Sequence, residues 1–218
     1  MRRIAVLAAV GFVLLVLVVA QLVLPGIAAR RVRDQFSKSG TVLDVKVSAF
    51  PAVKLLWHRA DSVVVRMATY RAPVSELSNT LTETGDAGSV DASVQVLSVG
   101  PLALRDATMR KRGSSLTAAA TVTQADLRSA VFFLQGVVPV TSADGSLTLR
   151  GTASFLGLTA SVSATVAARD GALVVAPDVP FGGIATLTLF NDPHVYVESV
   201  SASGVPGGFR VSGRATVS

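Results

Sequence analysis

Side chains able to do chemistry are sparse in this sequence. There are two histidines, His58 and His194, and no cysteine in 218 residues. Neither histidine has a carboxylate, a cysteine or a second histidine at the spacing of a metal site or a catalytic triad, so both read as surface or half-buried residues. Serine is abundant, yet no G-x-S-x-G turn presents one as a nucleophile. No G-x-x-x-x-G-K-[ST] or G-x-G-x-x-G motif follows a strand, and "PFGGIA" and "VPGGF" read as turns, not phosphate cradles. Asp61, Asp91, Asp106, Asp126, Asp144 and Asp170 mostly flank turns or caps, where carboxylates accept backbone N–H bonds. The expectation is a protein without catalytic residues, metal ligands or a cofactor.

The remaining chemical signal is positive charge. Setting Arg2 and Arg3 aside leaves 18 of the 20 basic residues against all 14 acidic ones. "RDATMRKRG" is the densest cluster, and Arg110, Lys111 and Arg112 within it are expected at a hairpin tip, either solvated or docked on anionic headgroups. Nucleic acid is a poor fit, because there is no basic helix and no strand with interleaved aromatics to stack bases.

Those residues need elements to position them. Residues 4–24, "IAVLAAVGFVLLVLVVAQLVL", carry no charge and are long enough to cross a hydrocarbon core of ~30 Å as a helix. A cleaved signal peptide would have the same basic start, with "VVA" at 18–20 as its cleavage site. Retention is favoured because the apolar run continues to Leu24. Residues 1–24 are therefore read as a signal anchor or signal peptide, and 25–218 as one domain, expected tethered to the cell membrane, or secreted if the segment is cleaved. Arg30, Arg31, Arg33 and Lys38 rival Arg2 and Arg3, so charge alone does not set the orientation.

Past an expected break at Pro25-Gly26, Ala28, Val32 and Phe36 share a helical face. A second helix is predicted over "APVSELSNTLTETG", with Val74, Leu77 and Leu81 on one side. A third is predicted from Thr123, an N-cap with Asp126 three residues on, through Leu127, Val131 and Leu134 to a stop at Gly136 and Pro139. The rest alternates in strand fashion with Gly-containing turns, among them Ala143-Asp144-Gly145 and Arg169-Asp170-Gly171. Helices interspersed with runs of strands imply an α+β fold with antiparallel pairing.

The stretches "LPGIAARRVRDQF", "LDVKVSAFPAVKLLWHRADSVVVRM", "VAPDVPFGGIATLTLF" and "VESVSASGVPGGFRVSGRATV" resemble the LmeA-like phospholipid-binding proteins of actinobacterial cell envelopes. Ser48, Phe50 and Pro51 match the step that ends a strand in that family. Ala60 to Val65 match the following segment, and Pro206, Gly208, Val211, Gly213 and Ala215 match its closing strand. Trp57-His58-Arg59 departs from the glycine that many relatives carry. The resemblance implies a strongly curved antiparallel sheet wrapped around one or more helices, similar to tubular lipid-binding folds, with an apolar tunnel, an envelope location and phospholipid binding without catalysis.

"LTASVSATV" at 158–166 gives that implication a physical form. Its inward face would be Leu158, Ala160, Val162 and Ala164, small groups that leave room in front of the sheet. Helices offering Val32, Phe36, Leu77, Leu81, Val131 and Leu134 would line the opposite wall, and an acyl chain would fill the gap at ~0.8 kcal/mol per methylene. These ten residues are the expected lipid site, and phospholipid and membrane the expected partners. The competing reading is a tethered structural or protein-interaction module, in which small residues merely allow close packing.

Overall fold

The computed structural model describes residues 2–57, 59–72, 87–99, 102–130, 134–143, 146–155, 158–178 and 186–217; the side chains of residues 1–19 and of some strand residues lie outside that description. The elements are α1 (Arg2–Ser37), β1 (Gly40–Ser48), a short 3-10 helix (Ala52–Trp57), β2 (Ser62–Ala72), β3 (Ser89–Val99), β4 (Leu102–Arg112), β5 (Ser115–Thr123), α2 (Gln124–Ala130), β6 (Leu134–Ala143), β7 (Ser146–Phe155), β8 (Leu158–Arg169), β9 (Ala172–Pro177), β10 (Leu187–Phe190), β11 (Val195–Val205) and β12 (Gly208–Val217). The protein is mostly β. Among the described residues, seven strands form one open sheet in the order β1-β2-β3-β4-β5-β12-β11, and five form a second in the order β10-β9-β8-β7-β6.

Three expectations change. The pairing is not wholly antiparallel, because β2 and β3 run parallel, Ser62 opposite Ser89 and Ala72 opposite Val99. Parallel neighbours need a crossover connection, and the segment between them contains the predicted helix with Leu77 and Leu81; residues 73–86 lie outside the described residues. Second, α1 does not break at Pro25-Gly26 but runs through both. An interior proline forfeits a backbone hydrogen bond and costs ~3 kcal/mol, which docking on either side offsets. Before it, Gln21 Nε2 donates to Ala49 O at 3.2 Å and Gln21 Oε1 accepts from Ala52 N at 2.7 Å. After it, Val32 and Phe36 pack on the Val65, Met67 and Tyr70 cluster, with the Phe36 ring edge-on to Tyr70 at 5.7 Å.

Third, the helix started at Thr123 is shorter than its apolar spacing suggests. Its cap forms as expected: Asp126 N donates to Thr123 Oγ1 at 3.1 Å, and Thr123 Oγ1 donates to Asp126 Oδ2 at 2.6 Å. The helix then ends at Ala130, and Leu134 opens a strand opposite Ala153. Gln124 explains the early end: it accepts from Val137 N at 2.9 Å and donates back to Val137 O, holding the extended chain against the helix start. Pro139 lies within this edge strand at a register shift, where its missing N–H is tolerated.

The turn at Arg169-Asp170-Gly171 is as predicted, with Asp170 at φ 50° and Gly171 at φ 79°. Ala143 and Ser146 pair across the other predicted turn, whose residues 144–145 lie outside the described set. Along β8 the even-numbered face is the inner one at Val166. That side chain shares a core with Leu147 and Val200, ringed by Leu149, Leu173, Val175, Ala202 and Val211. At this end, strand β11 of the larger sheet occupies the space in front of "LTASVSATV". In place of one sheet wrapped around helices, two sheets pack together at the β11–β12 end, and α1 covers the β1–β2 end.

Candidate functional site

The larger sheet presents two chemically different faces, because successive side chains of a strand alternate sides. Register connects Ala92, Met109, Ala118, Gly213 and Val200 in one row across β3, β4, β5, β12 and β11. This apolar face carries Val65 and Met67 under α1, and Val200, Ala202 and Val211 under the second sheet. Between those covered ends Ala92 and Ala120 are half-buried and Ala118 is exposed, while Met109 of the same row packs on the buried cluster of Leu116, Val195, Ala215 and Val217.

One residue along each strand, the row reads Asp91, Arg110, Thr117, Arg214 and Ser199. The next row of that face is Arg66, Ser93, Thr108, Ala119, Ser212 and Ser201. A concavity of 680 Å³ lies over this face, lined by side chains from β2 through β11, among them Arg66, Arg110, Arg112 and Arg214. Asp91 is the carboxylate in that lining. It accepts from Arg112 Nη2 at 2.6 Å and from Arg110 Nε at 3.0 Å, and these guanidiniums, Arg112 foremost, hold its pKa below the ordinary value. Arg66 and Arg214 have no ion-pair partner among the described residues.

The expected hairpin is present, with its turn at Gly113-Ser114, but Arg110, Lys111 and Arg112 all belong to β4, Arg112 pairing with Ser115 beside the turn. Strand alternation also divides them. Arg110 and Arg112 face the concavity, while Lys111 lies between Val90 and Leu116 in the register of the apolar face, 4% exposed, its Nζ donating to Ala87 O at 2.8 Å. A sequence window of consecutive basic residues reads as one patch until it is placed on a strand.

The expected lipid-lining residues are scattered likewise. Val32 and Phe36 sit at the β1–β2 end. Leu158, Ala160, Val162 and Ala164 belong to β8 of the other sheet, which packs at the opposite end, so the two sets do not form one wall and its facing wall. Ala164 is half-buried, opposite Leu149 and Pro177; the side chains of Leu158, Ala160 and Val162 are not described. Leu134 is in β6, and Leu77, Leu81 and Val131 lie outside the described residues. Sequence reading missed Arg66, Arg214 and the serines of β11 and β12, whose only signal was their polar parity in strands otherwise counted for their apolar face.

Asp61 supports the loop after β1. It accepts from Phe50 N at 2.5 Å and from Lys54 Nζ at 3.3 Å, and the Phe50 backbone bond is the main reason its pKa is lowered. The same loop is held by Gln21 of α1, which leaves Phe50 76% exposed, as is Leu22 on the helix. No metal-binding cluster of His, Cys, Asp or Glu occurs among the described residues.

These features define a mostly-β protein whose larger sheet has one apolar and one basic face. The sequence pattern of the LmeA-like phospholipid-binding family matches residues 16–189, and the chain belongs to that family. A search of curated proteins returns no match. Among solved structures, a STAR-related lipid transfer protein from Xanthomonas axonopodis shares 11% identity over 52% of this chain and 76% of its own, with a TM-score of 0.17, too low to bear on the fold.

Proposed function

We propose that this protein is a membrane-anchored, exocytoplasmic phospholipid-binding protein that holds or transfers lipid by sheltering acyl chains in an apolar channel. Membership of the LmeA-like phospholipid-binding family is the observation that carries this reading. The apolar face of the larger sheet at Ala92, Ala118 and Gly213, small residues beside the packed Met109, is the surface on which the chains would lie. Eight to ten buried methylenes, at ~0.8 kcal/mol each, would contribute ~6 to 8 kcal/mol before the cost of ordering a bound lipid is deducted.

Two features favour the anchor. The uncharged run at 4–24 belongs to α1, which continues into the domain without interruption. The exposed Phe50, Leu22 and Val23 stand where that run ends, the place for apolar groups at a membrane interface. Among the described residues no helix is long and apolar enough to cross a membrane, and the side chains of most of the run lie outside them.

The test uses the full chain purified in nonionic detergent, with bound lipid extracted and identified by mass spectrometry. Phospholipid is expected at near-stoichiometric amounts, and Ala118→Phe, which fills the floor, lowers it several-fold. A chain that neither retains nor takes up phospholipid overturns the proposal. A protein-interaction module is the second reading, favoured by Val138 and Val140 on β6 and Leu187 and Leu189 on β10, exposed apolar residues on the two edge strands of the smaller sheet.

A further inference from the structure

The basic concavity is on the face of the larger sheet opposite the apolar one, and no acyl chain explains it. Its lining mixes four guanidiniums and several hydroxyls with apolar groups such as Val64 and Ala119, and Ser201 and Ser212 stand with their oxygens 2.8 Å apart on the floor. Four arginines line it against Asp91; the nearby Glu198 is engaged by the Thr216 hydroxyl. Asp91 fixes Arg110 and Arg112 in place, while Arg66, on β2, and Arg214, on β12, flank them without ion-pair partners among the described residues. Guanidinium forks on two sides of a concavity, with hydroxyls between them, suit an oxyanion, and the tetrahedral oxygens of a phosphate ester can meet forks from more than one direction at once.

Register also gives the location. Ser48, Ser62, Ser89, Arg112, Ser115 and Thr216 form the last row of one end of the sheet. That end adjoins the Ala49–Ala52 loop that Gln21 holds, where the apolar run of α1 finishes, whereas Phe36 meets Tyr70 at the other end. Arg110, Arg112 and Arg214 are within a few residues of that row, so the arginines gather at the end of the domain nearest the anchor. We propose that this concavity is a binding site for a phosphodiester, with Arg66 and Arg214 as the free ligands and Arg110 and Arg112, braced by Asp91, as the fixed ones. The location rests on the anchor reading, but the site does not. The phosphodiester is either a phospholipid headgroup reaching up from the membrane or a water-soluble phosphodiester.

The experiment titrates glycerophosphoglycerol, a phosphodiester without acyl chains, into the full chain in nonionic detergent, with calorimetric readout. Saturable binding is expected, weakened about five- to tenfold by Arg66→Ala or Arg214→Ala and unchanged by Arg169→Ala at the β8–β9 turn. Neither of the first two variants breaks an ion pair seen in the structure, so circular dichroism should match the parent. Phosphatidylglycerol added to the micelles distinguishes the sources: competition with the soluble probe assigns a lipid headgroup, and its absence a soluble phosphodiester. No saturable binding, or equal weakening by Arg169→Ala, overturns the site. Loss of co-purified lipid with the titration intact would sink the acyl-chain reading alone.

Discussion

Leu147→Ala distinguishes a packed sheet-to-sheet contact from a hollow one. Leu147 is 1% exposed, the most completely buried large side chain described, and it meets Val166 and Val200 where the two sheets join. Truncation removes three carbons, worth ~2.4 kcal/mol in transfer terms at ~0.8 each, and the surrounding Leu149, Leu173 and Val175 belong to paired strands that cannot fully collapse into the void. With the cavity term the expected cost is ~3 to 4 kcal/mol. Val138→Ala, on an edge strand at 53% exposure, should cost under ~0.5 kcal/mol and serves as the control. The assay is urea denaturation of the full chain in nonionic detergent, followed by circular dichroism, with bound phospholipid measured on the same samples. The lipid content of folded Leu147→Ala protein should equal that of the parent, because this contact is protein against protein. A loss below ~1 kcal/mol accompanied by a change in bound lipid would refute the reasoning and return the lipid to the space in front of β8.

Three further outcomes follow from the geometry. The Arg105 guanidinium, bonded to Asp126 at 2.8 and 3.0 Å, and secondarily the Thr123 hydroxyl, depress the Asp126 pKa, so the pair stabilises the fold above the ordinary carboxylate value of ~3.9 and that stability is lost as pH falls below it through the lowered value; Asp126→Asn should therefore destabilise at pH 7 and converge on the parent in acid, and a pH-independent difference would point to the cap instead. Gln21→Leu removes two backbone bonds to the Ala49–Ala52 loop and should cost ~1 to 2 kcal/mol while raising proteolysis near Phe50, and equal cleavage rates would contradict the docking. Gly171→Ala places a Cβ 2.6 Å from the Tyr196 ring at a φ of 79° and should lose ~1 kcal/mol or more, of which Tyr196→Ala restores only the steric share; full restoration would show that the turn itself is unstrained.

Much of the local structure was legible because it is decided locally. The Thr123 cap with Asp126, the turn at Asp170-Gly171 and the period-two alternation of "LTASVSATV" are short-range effects of hydrogen-bonding side chains, glycine's freedom at positive φ and strand geometry, and the structure contains each of them. Family membership was legible too, in short stretches spread along the chain. What required the fold was every decision between competing long-range partners. The spacing of Leu127, Val131 and Leu134 suits a helix, but Gln124 holds Val137 and Leu134 pairs with Ala153, so Leu134 lies in a strand. Pro25 should end a helix, yet Gln21 and Phe36 find partners on either side of it and α1 continues. Arg110, Lys111 and Arg112 are adjacent in sequence, and the strand they share sends Lys111 to one face and the two arginines to the other, where Arg66 and Arg214 arrive from strands far away in the chain. Alternation along a strand is written in the sequence, but which strands lie side by side, and so which side chains share a face, is set by pairing energies that only the assembled sheet contains.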